Sequence, residues 1–234
     1  MYMRLIVFAV IVCMLPASSQ TLTGSPATLD GPFQVKIFPN LAAGDSVINI
    51  GNTGASAAVV GPFGGVVGGN ICVNVYVFSP DEQEVACCTC LVTPNGAVTV
   101  SARQLISKTL TPSVPTSITV KLVATVPLAG GWCNASTPAP PLPSFPSPGA
   151  LAPGLTAFGT NIHAAPVGGS TSAGTYAVTE TPFIPSTLTA AELASDSTLC
   201  GYTMQNGSGF GICPGCTIGA AGPVNVAGAA PAKQ

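Results

Sequence analysis

The sequence predicts an all-β protein, folded as a disulfide-stapled antiparallel sandwich or a Greek-key barrel. Short runs of alternating apolar and polar residues recur at close spacing, separated by Gly, Pro and Asn. Almost no stretch before Cys133 repeats its apolar residues at helical spacing. An even number of cysteines remains once a leader peptide is set aside, which is typical of a disulfide framework in an exported chain. We therefore expect roughly seven or eight short strands before Cys133.

The first 19 residues have the composition of a secretory signal peptide. Arg4 supplies a positive charge, residues 5–15 form the apolar centre, and Ala17-Ser18-Ser19 place small residues before a cut at Gln20. The apolar centre is too short to cross a bilayer, and no later stretch reaches that length without interruption. We therefore expect a secreted protein, extracellular or at the cell surface, with no membrane span after signal removal.

Residues 20–133 are expected to form a β-sandwich domain that begins with a small polar arm at 20–30. The segment 33–38 alternates, so that Phe33, Val35 and Ile37 are predicted to face inward and Lys36 outward. The clearest alternation covers 117–125, where Ile118, Val120, Leu122 and Ala124 share one face. Further short strands are predicted at 46–50 and 97–101, and the apolar segments 57–60 and 66–67, separated by glycines, suit bends or bulges.

A hairpin at residues 71–92 is the expected centre of this domain. Four apolar residues of its first strand share one face, and the intervening residues, among them Cys72 and Tyr76, share the other. A turn around Pro80 joins it to a return strand with three cysteines in four residues. Cys87 faces one side of that strand, and Cys88 and Cys90 face the other. Other segments must therefore reach these sulfur atoms from both sides of the sheet.

The cysteines also tie the two ends of the chain together. Five precede a proline-rich segment and three follow it, so complete internal pairing requires at least one bridge across that segment. Cys87 and Cys88 point to opposite faces and are not expected to pair with each other. The sequence leaves the connectivity open among 105 pairings. The disulfide candidates are Cys72, Cys87, Cys88, Cys90, Cys133, Cys200, Cys213 and Cys216.

The chain changes character after Cys133. Residues 134–154 are rich in proline and form a linker or a long loop, with an O-glycosylated stalk or a docking peptide as alternatives. Residues 155–234 form a C-terminal β-rich part, disulfide-tied to the first domain, with strands at 155–163 and 176–181. A capping box at 189–192 predicts a short helix that Gly201 could close. The tail holds one further brief apolar segment at 224–226.

The chain carries very little charge. After signal removal five basic residues stand against eight acidic ones, a net charge of −3, and only 6% of the full chain is charged. An ordinary soluble domain has about a quarter of its residues charged. The absence of clustered Lys and Arg excludes a nucleic-acid partner. So little charge also protects poorly against self-association, which favours a surface covered by copies of the same chain or by glycans.

Two cysteine motifs allow a chemical interpretation. Cys213-Pro-Gly-Cys216 is a CxxC motif, but it follows a glycine-rich loop and lacks the strand–helix context of a redox site. With the cysteines at 87–90 it resembles a zinc knuckle, but those cysteines have the wrong spacing for a second half-site. The even cysteine count in an exported chain favours disulfides over metal. We therefore predict no metal site and no cofactor.

Hydrolytic chemistry has little support in the sequence. The single histidine, His163, lies in a strand pattern, and no GxSxG motif is present. A glycosidase needs two carboxylates across a cleft, and no such partner is identifiable for Glu180, Glu192 or Asp196. Three acidic residues cluster in one turn: Asp81, Glu82 and Glu84. We interpret them as a solvated hairpin tip, with weak calcium binding as the alternative. We predict no catalytic residues and no enzyme activity.

These observations lead to one expected function and one alternative. We expect an extracellular structural protein, a self-assembling homo-oligomeric or polymeric subunit of a fibre, appendage or surface layer, joined through β-strand augmentation by residues 20–30 or 224–226. The alternative is a secreted carbohydrate- or protein-binding β-sandwich module. Asn134 and Asn206 match the N-glycosylation pattern, so glycans are candidate partners.

Overall fold

A computed structural model describes the chain in six stretches. They are residues 31–56, 58–60, 66–128, 131–137, 149–164 and 176–216. The predicted signal peptide, the arm at 20–30, the tail at 224–226 and most of the proline-rich segment lie outside the described residues. The side chains of 57–67 are likewise outside this description.

The strands form two main antiparallel sheets that pack face to face. The first has the order β11-β1-β8-β5-β6 and the second the order β10-β9-β2-β7. A small hairpin, β3-β4, stands apart from both. The strands are β1 (Phe33–Phe38), β2 (Val47–Asn52), β3 (Ala58–Val60), β4 (Val66–Gly68), β5 (Ile71–Phe78), β6 (Glu84–Val92), β7 (Ala97–Ser101), β8 (Ile118–Thr125), β9 (Leu155–Ala164), β10 (Tyr176–Pro182) and β11 (Ile184–Pro185), and the helices are α1 (Ala102–Leu105) and α2 (Ala190–Gln205).

This architecture confirms the predicted all-β fold and selects the sandwich over the closed barrel. Strands from both sides of the proline-rich segment occur in each sheet. β9 pairs with β2 and β10 in the second sheet, and β11 pairs with β1 in the first. Both sheets therefore need residues that follow the proline-rich segment.

Two apolar clusters follow from the alternation of β5. Val73, Val75 and Val77 face the second sheet and pack with Leu122 and Ile50 in the core between the sheets. The opposite face of β5 presents Tyr76, which is fully buried in a second cluster. α2 covers that cluster with Leu193 and Cys200. The first sheet is therefore covered on both faces, as the unbroken apolar character of β5 and β6 requires.

The facing predicted for the end of β1 is wrong. Ile37 is 62% exposed, whereas Lys36 is only 7% exposed and Phe38 is fully buried in the core between the sheets. Phe33 belongs to the second cluster, on the side of α2, and Val35 packs against it. β1 carries apolar residues on both of its faces, so the alternation alone did not identify which face packs between the sheets. Phe38, with its ring centroid 5.7 Å from that of Phe183, decides the facing.

The helix predicted at 189–192 begins as expected but runs further. Thr189 caps it by accepting a hydrogen bond from the Glu192 N–H. The helix continues through Gly201 to Gln205, and a Schellman motif ends it: Ser208 N–H donates to Thr203 O, and Gly207 N–H donates to Met204 O. Gly207 has φ +87°, the left-handed value that this motif requires. The stop signal is thus Gly207, not Gly201.

All eight candidate cysteines are paired, which confirms disulfide bonding. Three of the four bonds join β6 to the last described segment, so three bonds cross the proline-rich segment where the sequence required one. The fourth bond joins β5 to Cys133, the residue immediately before the proline-rich segment. The pairs are Cys72–Cys133, Cys87–Cys200, Cys88–Cys213 and Cys90–Cys216.

Candidate functional site

The two main sheets have four edges, and a cysteine-clamped loop at residues 208–216 covers one side of the sandwich. Along β6, Phe210 N–H donates to Cys87 O, and the loop and Thr89 exchange two further backbone hydrogen bonds. Gly215 then approaches Thr99 in β7 so closely that a Cβ would lie 2.6 Å from the Thr99 carbonyl oxygen. The loop therefore protects β6 and contacts β7.

The other side of the sandwich leaves one long edge without a partner strand among the described residues. β11 has only two residues, one of them a proline, and is a poor template for pairing. β10 has seven residues and pairs with β9 on its inner side only. Its side chains from Ala177 to Pro182 are all exposed, and Val178 is 61% exposed. β10 therefore has the properties of an edge that accepts an added strand.

The pairing of β10 shows which backbone groups point outward. Phe183 N–H donates to Ala157 O, so this pair is of the hydrogen-bonded type. The register places Thr181, Thr179 and Ala177 at alternate positions from Phe183, and their backbone groups therefore point to β9. The N–H and C=O groups of Val178 and Glu180 point away from the sheet, toward the position of an added strand.

An apolar groove of about 560 Å³ lies beside this edge, where the two sheets separate. Ile37 and Ile184 line it and are 62% and 70% exposed. Asn161 also lines it, and its Oδ1 atom is buried without a hydrogen-bond partner in the described part of the chain. Lys36 lies in the groove wall, its Nζ donates to Thr181 Oγ1, and burial lowers its pKa. The groove combines exposed branched side chains with an unpartnered acceptor.

Glu84 is a second unusual feature, and the sequence analysis placed it wrongly. Asp81 and Glu82 are exposed as predicted for a hairpin tip, but Glu84 is only 8% exposed. A β-bulge in the β5–β6 ladder inserts one residue near Val85. Without it, Glu84 would share the face of Ala86 and point between the sheets; with it, Glu84 points toward α2. The three acids therefore do not form one group, and the calcium alternative loses its third ligand.

Burial raises the pKa of Glu84 from its ordinary value of 4.5 to about 9, with a smaller contribution from the Asp196 carboxylate and partial opposition from Lys121. Between these values the folded chain keeps a proton that the unfolded chain has lost. Stability therefore falls as pH rises through this window, by about 1.4 kcal/mol per pH unit.

Glu84→Gln should remove this penalty. At pH 7 we expect the variant to be more stable than the parent by on the order of 3 kcal/mol, and near pH 4 the two should be equal, since both side chains are then neutral. Chemical denaturation at several pH values measures the difference. The exposed Glu82→Gln is the matched control and should follow the parent. Parallel pH profiles for Glu84→Gln and the parent would contradict a buried, protonated Glu84.

Two of the remaining acids hold α2 on the sheet. Lys121 in β8 donates to Glu192 at 2.8 Å and to Asp196 at 3.3 Å, and its Nζ lies 4.4 Å from the Phe78 ring centroid. Burial lowers the pKa of Lys121, but these acidic partners outweigh it, so the net shift is upward. Burial raises the pKa of Asp196 against the attraction of Lys121. This arrangement is a structural ion pair between strand and helix.

The disulfides bear on the zinc and redox interpretations of the cysteine motifs. Cys90, Cys213 and Cys216 have sulfur atoms within 4.8 Å of one another, a spacing that would suit a metal. Each of these sulfurs is bonded to another sulfur, so none is a thiolate that could hold zinc or attack a substrate. Cys213 and Cys216 also bond to different partners, so the CxxC motif does not form an internal redox disulfide.

The remaining predicted residues have local roles. His163 Nε2 lies 2.7 Å from Thr179 Oγ1 on the exposed β9–β10 pair. Asn134 Oδ1 accepts hydrogen bonds from the N–H and Oγ of Ser136, and its side chain is half-buried. Asn206 is exposed, and its Nδ2 donates to Tyr202 O at the end of α2. Of the two glycosylation candidates, Asn206 has the more accessible side chain.

The disulfides indicate folding in an oxidising, extracellular type of environment. Among the described residues, no helix has both the length and the apolar character needed to cross a membrane.

Sequence reasoning missed two features of this region, the unpaired edge of β10 and the burial of Glu84. β10 was predicted as a strand, but its unpaired edge depends on strand order, which alternation does not report. The burial of Glu84 depends on a bulge, for which the only local signal was a hairpin turn longer than two residues. Glu82, in that turn, has φ +64°. No known protein family, curated protein or solved structure matches the chain.

Proposed function

We propose that the protein is an extracellular structural subunit that assembles with copies of itself by β-strand augmentation at β10. The observation that carries this proposal is the exposed seven-residue edge of β10, which is longer than the edges of β7 and β11 and, unlike the edge of β6, has no loop hydrogen-bonded along it in the described part of the chain. An unprotected edge is usually avoided in monomeric proteins because it pairs with other chains. Its retention beside an apolar groove supports a role in assembly.

The incoming strand is supplied by a neighbouring subunit, from residues 20–30 or 224–226. Residues 20–30 span about 36 Å when extended, and β10 is about 23 Å long. Within one subunit, β11 already pairs with Gln34 and Val35 at the start of β1, so this edge of β1 is occupied. Head-to-tail addition of this kind continues into a filament unless its rotation closes a ring.

The groove provides the side-chain contacts that such a strand needs. A strand added beside β10 would run along this groove, which Thr181 and Pro182 line together with Ile37 and Ile184. Side chains at that end of the strand would contact Ile37 and Ile184, which are otherwise among the most exposed branched residues described. Main-chain hydrogen bonds to Val178 and Glu180 supply affinity, and the groove supplies specificity. The low charge of the chain also supports close packing of subunits.

Glu180→Pro tests this edge directly. Proline removes the outward N–H of residue 180 and leaves the β9–β10 ladder intact, because that N–H does not point to β9. We expect a folded subunit that forms no fibres under conditions in which the parent does. Glu180→Gln is the matched control, since it removes the charge but keeps the N–H, and it should assemble normally. Electron microscopy and size-exclusion chromatography measure the difference.

A folded Glu180→Pro subunit that still forms fibres of normal length would overturn the β10 edge as the interface. Deletion of residues 20–30 distinguishes the two donors. Loss of fibres from that truncation assigns the donor to the arm, and normal fibres assign it to residues 224–226.

The alternative of a secreted binding module has weaker support. A carbohydrate platform needs aromatic side chains grouped on one surface. Among the described side chains, the strongly exposed aromatic residues are Phe158 and Tyr202. Phe158 lies on the outer face of the second sheet, whereas Tyr202 lies on α2, which covers the first sheet. They are therefore on opposite sides of the sandwich.

A further inference from the structure

A second groove, of about 350 Å³, lies where the β5–β6 turn meets α2 and the loop at residues 110–111. Its rim is apolar: Leu110 is 45% exposed, Leu199 41% and Tyr202 61%. Glu84 is one of the lining residues. The volume suits a small organic molecule. The groove shares no residue with the groove beside β10.

Neither carboxyl oxygen of Glu84 has a hydrogen-bond partner in the described part of the protein. The polar groups around it are already engaged. Lys121 is bonded to Glu192 and Asp196, and the Tyr76 hydroxyl lies 2.8 Å from Ala135 O and 3.3 Å from Ser197 Oγ. A buried polar group left unpaired is destabilising, so its presence requires an explanation.

A disulfide lies close to the Glu84 carboxyl group. A Glu84 carboxyl oxygen and the sulfur atoms of Cys87 and Cys200 lie within 4.8 Å of one another. Those sulfurs are bonded to each other and link β6 to α2, so the carboxyl group is held against an apolar surface. The nearby Asp196 carboxylate and the exposed Glu82 at the rim make the surroundings acidic. A cation is the ligand that this charge distribution favours.

We propose that this groove binds a small organic amine, with its ammonium group on the Glu84 carboxylate and its apolar body on Leu110, Leu199 and Tyr202. An ammonium group supplies the hydrogen-bond donors that both carboxyl oxygens lack. The Tyr202 ring adds a face on which a cation or an apolar group can rest. The site is independent of the assembly proposed for β10.

Binding should release a proton. Burial holds the pKa of Glu84 at about 9, so the empty site is protonated at neutral pH. Pairing with an ammonium ion requires the carboxylate, and the carboxylic acid therefore gives its proton to the buffer as the amine binds. Lys121 and Asp196 keep their mutual ion pair and take no part in this exchange.

Titration calorimetry with 2-phenylethylammonium chloride tests the site, with the neutral 2-phenylethanol as its isostere. In two buffers of different ionisation enthalpy at pH 7, we expect about one proton released per amine bound. We expect the alcohol to bind at least tenfold more weakly than the amine. Glu84→Gln should weaken amine binding at least tenfold and abolish the proton release, whereas Asp81→Asn, at an exposed acid of the same turn that does not line the groove, should change the affinity no more than about twofold.

The proposal is overturned if the amine does not bind, if the alcohol binds equally well, or if Glu84→Gln leaves amine binding intact. Misfolding does not obscure the result, because Glu84→Gln is expected to be at least as stable as the parent. A denaturation curve of the same sample establishes that it is folded.

Discussion

Replacing Cys88 and Cys213 together by alanine should lower the free energy of unfolding by about 2–5 kcal/mol. This disulfide closes a loop across 125 residues and holds the cysteine-clamped loop on the edge of β6. Its loss removes the constraint on the unfolded chain and loosens the backbone hydrogen bonds between that loop and Thr89. Urea denaturation measures the change in stability, and amide exchange at Thr89 and Cys213 positions measures the loosening.

The double variant of Cys72 and Cys133 is the matched control for this effect. It also removes one disulfide, but one that spans 61 residues and does not touch the loop. It should lower the free energy of unfolding, but the Thr89 amide should stay protected from exchange in the folded state, as it is in the parent. Equal exchange at Thr89 in the two variants would contradict a specific role of Cys88–Cys213 in holding the loop on β6.

Phe38→Ala should be comparably damaging, with an expected loss of about 3–5 kcal/mol. Phe38 is fully buried between the sheets, near Phe183 at the corner where the chain passes from β10 to β11. β9 passes so close that a Cβ on Gly159 would lie 2.6 Å from the Phe38 ring. Truncation therefore opens a cavity between segments from both sides of the proline-rich region.

Phe158→Ala is the control for Phe38→Ala, because it also removes a phenyl ring, in this case from β9 of the second sheet. Phe158 is 43% exposed on the outer face of β9 and should cost less than about 1 kcal/mol. Thermal unfolding of both variants should remain a single transition, since each sheet contains strands from both parts of the chain. Separate transitions for the two parts would contradict a shared core.

The parts of the fold that sequence reasoning predicted are those in which local pattern and tertiary environment agree. Ile118, Val120, Leu122 and Ala124 of β8 all face the core between the sheets, as their alternation predicts. The hairpin at β5 and β6 was predicted for the same reason, and its cysteines bond to partners on both faces. Because odd numbers of cysteines precede and follow the proline-rich segment, the sequence required at least one bond across it. That three bonds cross it depends on how the chain folds, which the sequence pattern does not report.

The errors arose where a single residue changes the phase of a strand or the length of an element. At the end of β1, the choice between Ile37 and Phe38 as the core residue depends on the position of Phe183, far along the chain. At Glu84, the bulge reverses the facing that alternation assigns. At Gly201, the helix continues because Cys200 and Thr203 are buried on either side of the glycine.

The candidate sites were less predictable than the fold. Residues 176–181 were predicted as a strand, but no local pattern states which side of a strand is paired. The groove beside β10 combines residues from β1, β9, β10 and β11, which are far apart in the sequence. Glu84 appears as an ordinary turn acid until the bulge and α2 are in place.

Electron microscopy of the secreted chain at neutral pH without reductant, together with its size-exclusion profile, tests the central proposal most directly. Strand addition at β10 predicts ordered fibres or sheets and a high-mass elution profile, both absent from the folded Glu180→Pro subunit. A monodisperse particle with the mass of a single chain, at every concentration examined, would contradict self-assembly as the function of the free β10 edge.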